Sequence, residues 1–369
     1  METGFFTLGV EEEFQIVDPE TGQLRSHIEQ VMEQGELVLK ESIRPEMHKS
    51  VVEGNTPVCQ NMEHARNEVY NLRRELCTIA NRGGLEIASA GSHPFSHWLD
   101  QEITQHARYI SVVEEMQRAA RRNLIFGLHV HVGYPDREKA IHLVNAASYF
   151  IPHILALSTN SPFWLGHDTG YKSYRLNVFD GFPRTGLPGK FNSFGEYEDY
   201  VELLVKTRCI DDPKRIWWDI RIHPYFDTIE FRMCDAQMRT QDTLALVGLV
   251  LAITRKLDTL LRNNLSFRIY RNILLEENRW RAMRRGLGGK LIDYGKQQEV
   301  DTLQLMHELL DFVEDVVDEM DVRPEIEYIR NTLLVQGTGA DRQLTVYHNS
   351  GEDIKAVVDY IIDETKLGI

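Results

Sequence analysis

The chain has 369 residues, of which 42% are apolar and 26% charged. That is an ordinary globular composition, and it excludes a disordered chain, a fibrous repeat and a small disulfide scaffold. Forty-one Lys and Arg against 56 Asp and Glu give a net charge of −15, which excludes a nonspecific binder of nucleic acid or anionic membrane and leaves room for a local basic pocket that takes a phosphate. The start carries no basic region followed by an apolar one, as a signal peptide would. The longest apolar run, 244–253, is ten residues, against about 20 needed to cross a bilayer. Four cysteines (Cys59, Cys77, Cys209, Cys234) show no CxxC spacing, so a reduced, cytoplasmic protein is expected.

In chain order, 8–17 reads as a strand that stops at the Pro19 and Gly22 turn, and 49–58 as a second strand broken by Pro57. Residues 61–81 carry Val69, Leu72, Leu76 and Ile79 at helical spacing before Gly83 and Gly84, a helix with a glycine stop. A short strand at 85–90, a helix at 104–122, a strand at 124–133 and a helix at 137–158 follow. Residues 161–194 are irregular and rich in Gly, Pro, Tyr and Phe. A loop of that length is usually functional, and it reads either as a lid or as a packed surface loop. Strands are predicted at 216–222 and 228–233, and helices from 241 to the end. Strands grouped early and helices late predict an α+β fold with a largely antiparallel sheet. With no linker in view, 1–369 reads as a single catalytic domain, strand-rich over 1–240 and mainly helical over 241–369.

Side chains alternate across a strand. In the first strand Gly9, Glu11, Glu13 and Gln15 share a face, and Leu8, Val10, Phe14 and Ile16 share the other. Lys49, Val51 and Glu53 fall together in the second, and Gly127, His129, His131 and Gly133 in the strand at 124–133. Asp219 with Arg221, and Thr228 with Glu230 and Arg232, complete the pattern. An ordinary solvated face carries Lys, Thr, Ser and Gln. A face of Glu, His and Arg predicts a concave surface built for ions. Glu11 and Glu13 stand about 7 Å apart along the strand and repel unless a cation lies between them. Oxygen ligands favour Mg²⁺, with Mn²⁺ as the alternative ion, over zinc. Glu46, Glu53, Glu230 and His129 are candidates to complete the sites. Arg221 and Arg232 would attract a triphosphate, a carboxylate or an acyl phosphate, and metals beside arginines suit phosphoryl transfer.

Glu12 falls on the apolar face and is expected to pair with a buried base or to lie near a strand edge. His129-Val-His131 alone is weak, since such pairs also occur in zinc hydrolases. No GxxxxGK[ST], strand-associated GxGxxG or GxSxG occurs. The Gly337-Thr-Gly-Ala-Asp-Arg342 tract reads as an anion cradle or as a simple helix end.

The chain resembles the bacterial ATP-dependent carboxylate–amine ligases of the glutamate–cysteine ligase type 2 family. The resemblance rests on Gly9-Val-Glu-Glu-Glu-Phe14, Val52-Glu-Gly-Asn-Thr-Pro57, Gly91-Ser-His-Pro94 and Gly127-Leu-His-Val-His-Val-Gly133. It continues through Tyr174-Arg-Leu-Asn177, Trp217-Trp-Asp-Ile-Arg221, Thr228-Ile-Glu-Phe-Arg-Met-Cys-Asp235, Asn278-Arg-Trp-Arg-Ala282 and Gly337-Thr-Gly-Ala-Asp-Arg-Gln343. It implies a glutamine-synthetase-like fold, an antiparallel sheet curved into a funnel with helices outside, and ATP with two or three Mg²⁺ in the funnel.

By the resemblance Glu11, Glu13, Glu46, Glu53, His129 and Glu230 are metal ligands, Glu46 mainly on that ground. Arg232 would stabilise the transferring phosphoryl group, and His131 and Arg342 are further ATP-contacting candidates. Arg175 and Arg221 are candidates for a substrate carboxylate. The substrates implied are a glutamate-like acid and a cysteine-like amine, joined through an acyl phosphate, in a group whose members often have weak or unassigned activity. A homodimer is the favoured assembly. After Arg221 relatives usually have Pro, where this chain has Ile222 and His223. The competing readings are a zinc hydrolase built on His129 and His131, and a non-catalytic nucleotide binder on the same fold.

Overall fold

A computed structural model describes residues 6–35, 39 and 42–369; the first five residues of the start discussed above lie outside it. The strands are β1 (Leu8–Val17), β2 (Ile43–Pro45), β3 (Val51–Asn55), β4 (Glu86–Ala88), β5 (Gly127–Gly133), β6 (Phe163–Trp164), β7 (His167–Asp168), β8 (Ile220–Ile222), β9 (Thr228–Asp235), β10 (Lys290–Asp293) and β11 (Gln298–Asp301). Seven of them form one sheet in the order β2-β3-β1-β5-β9-β8, with β4 also on β1, and every pairing is antiparallel. The α+β class and antiparallel sheet expected from the sequence are therefore present.

Alternation along β1 divides its side chains between two environments. Leu8, Val10, Phe14 and Ile16 are buried on the side packed by helices, among them Met62–Arg82 and the central helix Thr240–Arg262. Leu244 to Ile253 is buried along its whole length, so the longest apolar run is a core helix, as its ten residues require. Residues 137–158 are also apolar enough to span a membrane by composition, but 89% of that window is buried inside the fold.

Met62–Arg82 begins where Asn61 accepts a hydrogen bond from His64 N, and the chain leaves it through Gly84 at φ +71°. Side-chain capping of the first orphan N–H groups and a left-handed glycine are the ordinary ends of a helix.

Several expected elements change in the fold. The strand expected at 49–58 is only Val51–Asn55, and Lys49 leaves the ion-binding face to pair with Glu29 and Glu102. The helix expected at 104–122 divides into Ala107–Met116 and Arg118–Arg122, because Gln117 takes φ +51°. The mainly helical end is interrupted just after 286–289 by the β10–β11 hairpin, where Asp293 Oδ1 accepts from Gly295 N and Lys296 N and turns the chain.

Residues 161–194 form a packed wall. Asp235 accepts from Ser161 Oγ (2.7 Å), Ser173 Oγ (2.8 Å) and Asn160 N (2.7 Å). That pins the start of the segment and the helix Tyr174–Phe179 against the end of β9.

Candidate active site

Cross-strand register assembles the site. Glu13 lies opposite Glu53, Glu11 opposite His129, and Glu230 opposite both His131 and Arg221. Side chains directly opposite in an antiparallel pair stand on the same face within contact distance, so a band of acids and imidazoles crosses four strands and meets Arg221 on a fifth. Between β5 and β9 the register shifts, so that Arg232 and Met233 together oppose His129. Arg232 keeps the face of Glu230 by ordinary alternation, and the shift sits beside it, a common place for bulges near active sites. The band forms the floor of a cavity of about 590 Å³ lined by Glu11, Glu13, Glu46, Glu53, His129, Glu230 and Arg232. A 60 Å³ recess beneath it is walled by Glu13, Glu46, His129, Arg175 and Arg232.

Two clusters of donors occupy this floor. In the first, carboxylate oxygens of Glu13, Glu46 and Glu53 lie within 4.8 Å of one another. Burial and then the neighbouring charges of Glu11 and Glu46 push Glu53 well above the usual carboxylate range. Burial and then Glu46 raise Glu13 to about 7. Burial raises Glu46 as well. Hydrogen bonds from Gly127 N to Glu13, from Met47 N and Tyr109 Oη to Glu46 and from Asn55 Nδ2 to Glu53, with the charges of Arg175 and Arg232 on Glu13 and of Arg108 on Glu46, offset this only in part.

In the second cluster, donor atoms of Glu11, His131 and Glu230 meet within the same 4.8 Å. Burial opposes charge on Glu11, but the hydrogen bond from His129 (3.1 Å) and the nearby His131 hold it well below its usual value. Burial likewise loses to Arg221 and Arg232 at Glu230, which stays strongly acidic. His129 is lowered to about 4 by burial and then by Arg232. His131 is raised because Glu11 and Glu230 outweigh its burial. Its Nδ1 contacts Thr228 Oγ1 at 3.0 Å, and its Nε2, 3.4 Å from Glu11 Oε1, forms no well-directed hydrogen bond.

Both donor sets fit a hard divalent cation. The first offers three partly buried carboxylates with no cation within ion-pair distance among the described residues, the second two carboxylates and an orphaned imidazole nitrogen, and oxygen-rich sets suit Mg²⁺ or Mn²⁺ better than zinc.

The arginines divide differently from the sequence expectation. Arg232 pairs with Glu230, yet its Nε has no partner among the described residues. Arg221 lines the cavity, but its N–H groups go to Glu230 (2.7 Å) and to the carbonyls of Lys214 and Ile216, so it holds Glu230 in place. Arg175 is buried with its guanidinium on the carbonyls of Arg232 and Met233. It packs so tightly on Gly127 that a Cβ there would come within 2.3 Å of Nη2.

Arg342 is not in the site. It pairs with buried Asp242 and with Gly337 O. The glycine tract around it caps the helix Gly339–Asn349, with Thr338 and Asp341 closing a reciprocal box, so the helix-end reading holds and the anion cradle does not. Asp219 precedes β8 and does not line the cavity with Arg221; Arg279 takes its carboxylate at 2.6 Å. Glu12 finds the buried base expected of it in Arg73.

Four cations escaped the sequence reading. Arg44, Arg108, Lys214 and Arg215 line the cavity; Arg215 pairs with Glu115 and Asp211, and the other three have no carboxylate within 4 Å among the described residues. An aromatic wall of Phe179, Phe182, Trp217 and Phe226 stands with them. No strand alternation marks these residues; they come from a helix start, an edge strand and loops.

The antiparallel sheet with helices packed outside is a glutamine-synthetase-like fold. The chain superposes on a bifunctional glutathione synthetase from Pasteurella multocida with a TM-score of 0.72 and 15% identity, over 98% of this chain and 52% of that one. It thus spans about half the length of that enzyme. It also superposes on a glutamate–cysteine ligase from Francisella tularensis in complex with AMP, with a TM-score of 0.69 and 12% identity, over 98% of this chain and 89% of that one. Residues 7–360 match the model of glutamate–cysteine ligase family 2, and the chain belongs to that family. Relatives named provisionally as glutamate–cysteine ligase 2 include one from Solibacter usitatus, 53% identical over 98% of this chain and 94% of its own length. Another, from Roseiflexus castenholzii, is 53% identical over 99% of this chain and 96% of its own. The chain is an ATP-dependent ligase that joins a carboxylate to an amine.

Proposed function

We propose that the chain condenses a glutamate-like carboxylate with a cysteine-like amine at the expense of Mg-ATP, with Mn²⁺ as the alternative ion. In this reading it works in the cytoplasm as a single catalytic unit and as a homodimer. The observation that carries the reading is the pair of adjacent donor clusters on one sheet face, flanked by Arg232.

Glu13, Glu46 and Glu53 would hold one divalent ion, and Glu11, His131 and Glu230 a second, with His129 orienting Glu11. When bound, such ions neutralise phosphate charge. The substrate carboxylate attacks the γ-phosphorus and ADP departs; the amine then attacks the acyl carbon and phosphate leaves. Arg232, whose buried Nε has no partner among the described residues, stabilises charge on the transferring phosphoryl group. Arg221 fixes Glu230, and Arg175 supports Arg232 from beneath through its backbone. Arg44, Arg108 and Lys214 draw the anionic substrates into the cavity of an otherwise acidic protein. No enzyme nucleophile is required, and none of the four cysteines lines the cavity.

The zinc-hydrolase alternative is disfavoured by chemistry. His129 and His131 both turn to Glu11, in a site richer in oxygen than nitrogen. The test is ADP release from Mg-ATP with glutamate and cysteine supplied singly and together. Release that needs both, with the amide found by mass, is the expected result. Absence of ADP with every amino-acid pair, together with zinc in the purified protein, would overturn it.

A further inference from the structure

Glu12 and Arg73 form a buried ion pair on the reverse of the sheet, directly behind the acids of the first strand. Glu12 Oε1 accepts from Arg73 Nη2 (2.5 Å) and Thr243 Oγ1 (2.7 Å), and Oε2 accepts from Nε (3.0 Å). The remaining guanidinium protons reach Met238 O (2.7 Å) and Gln237 O (2.8 Å). Arg73 stands on the helix Met62–Arg82, and its ring of partners ties that helix to β1, to the helix Thr240–Arg262 and to the chain just after β9. The two strands that carry Glu11, Glu13, Glu230 and Arg232 are thereby referenced to one guanidinium.

Stability does not account for this choice. A buried ion pair is often no better for stability than well-packed apolar residues of the same volume. What it supplies is direction. Three consecutive acids, Glu11 to Glu13, stand in a strand whose side chains alternate, so a slip of one residue would send Glu12 into the cavity and Glu11 and Glu13 behind the sheet. We propose that the Glu12–Arg73–Thr243 clamp is a positioning device that selects the register of β1 and holds Glu11 and Glu13 where divalent ions bind. This rests on the reading of the two acid clusters as cation sites.

The test is Mn²⁺ binding to the full chain without nucleotide, by calorimetry or electron paramagnetic resonance, alongside the kinetics of ADP release. Glu12→Gln/Arg73→Met removes both charges and leaves none unpaired. It is expected to unfold cooperatively, to bind Mn²⁺ about 10–100-fold more weakly, as loss of partners that orient metal ligands does, and to lose kcat comparably with little change in substrate KM. A shifted Tm with wild-type Mn²⁺ affinity and kcat would overturn the proposal and leave a purely structural pair. Should the double variant fail to fold, Thr243→Val decides: about threefold weaker Mn²⁺ binding supports the clamp, and unchanged binding overturns it. Glu13→Gln separates the two readings. If it loses Mn²⁺ while the clamp variants keep it, only the positioning role falls; if the wild type binds no Mn²⁺, the site reading falls and the clamp with it.

Discussion

The two donor clusters lie side by side on one sheet, yet they solve the problem of buried charge in opposite ways. Glu11, His131 and Glu230 are compensated from within the protein, by His129 and by Arg221 and Arg232. Glu13, Glu46 and Glu53 face one another with no cation paired to any of them among the described residues, and burial, with repulsion from neighbouring carboxylates, Glu11 included, raises all three. The Glu11–His131–Glu230 cluster is largely compensated by folding, with His131 Nε2 left over for an ion, whereas the Glu13–Glu46–Glu53 cluster is left in tension that an external cation would relieve.

The largest effect expected from this contrast is on turnover. Glu13→Gln should lower ADP release by about 10³-fold or more, as loss of transition-state charge stabilisation does, while the fold persists; near-wild-type turnover would remove Glu13 from the metal site.

Next comes stability at the compensated cluster. Glu230→Gln leaves Arg221 and Arg232 buried without their carboxylate, which should cost about 3–5 kcal/mol in denaturant unfolding. Glu53→Gln should cost far less, or stabilise the metal-free protein. Equal losses in the two variants would abolish the distinction.

A smaller effect should appear with pH. Glu13 is raised to about 7 in the fold, so its contribution to metal-free stability is complete below the unfolded value near 4.5 and is lost as pH rises through about 7. Melting in EDTA should fall across that window, and Mn²⁺ should reverse the fall. His93, lowered to about 3 by burial, runs the other way: its stability is present above about 6.5 and lost as pH drops toward 3. Its Nδ1 accepts from Ser96 N (2.9 Å), and Nε2 meets Gly22 O (2.9 Å), so His93→Gln should flatten the acid limb alone.

The smallest effect on activity is expected from Arg342→Met. It should lower Tm through buried Asp242 and leave KM for ATP unchanged; a raised KM would return Arg342 to the site.

Strand alternation made the face of acids, imidazoles and arginines legible in β1, β5 and β9, because each is long enough for a period of two to show. It failed at Asp219, which precedes β8 and is claimed by Arg279 sixty residues away in the chain. It also failed at Arg342, where a glycine tract serves a helix cap. Arg44, Arg108 and Lys214 were illegible because helix starts, edge strands and loops carry no period that points inward.

The sequence by itself determined the α+β class, the apolar and ionic faces of the main strands, and the family to which the chain belongs. Those properties are local: they follow from alternation, helical spacing and short motifs. Tertiary structure decided which acids meet, which of them are neutralised by protein cations, and why Glu12 is buried. Register, the bulge opposite His129 and the reach of Arg73 from a distant helix are relations between segments, and no single segment encodes them.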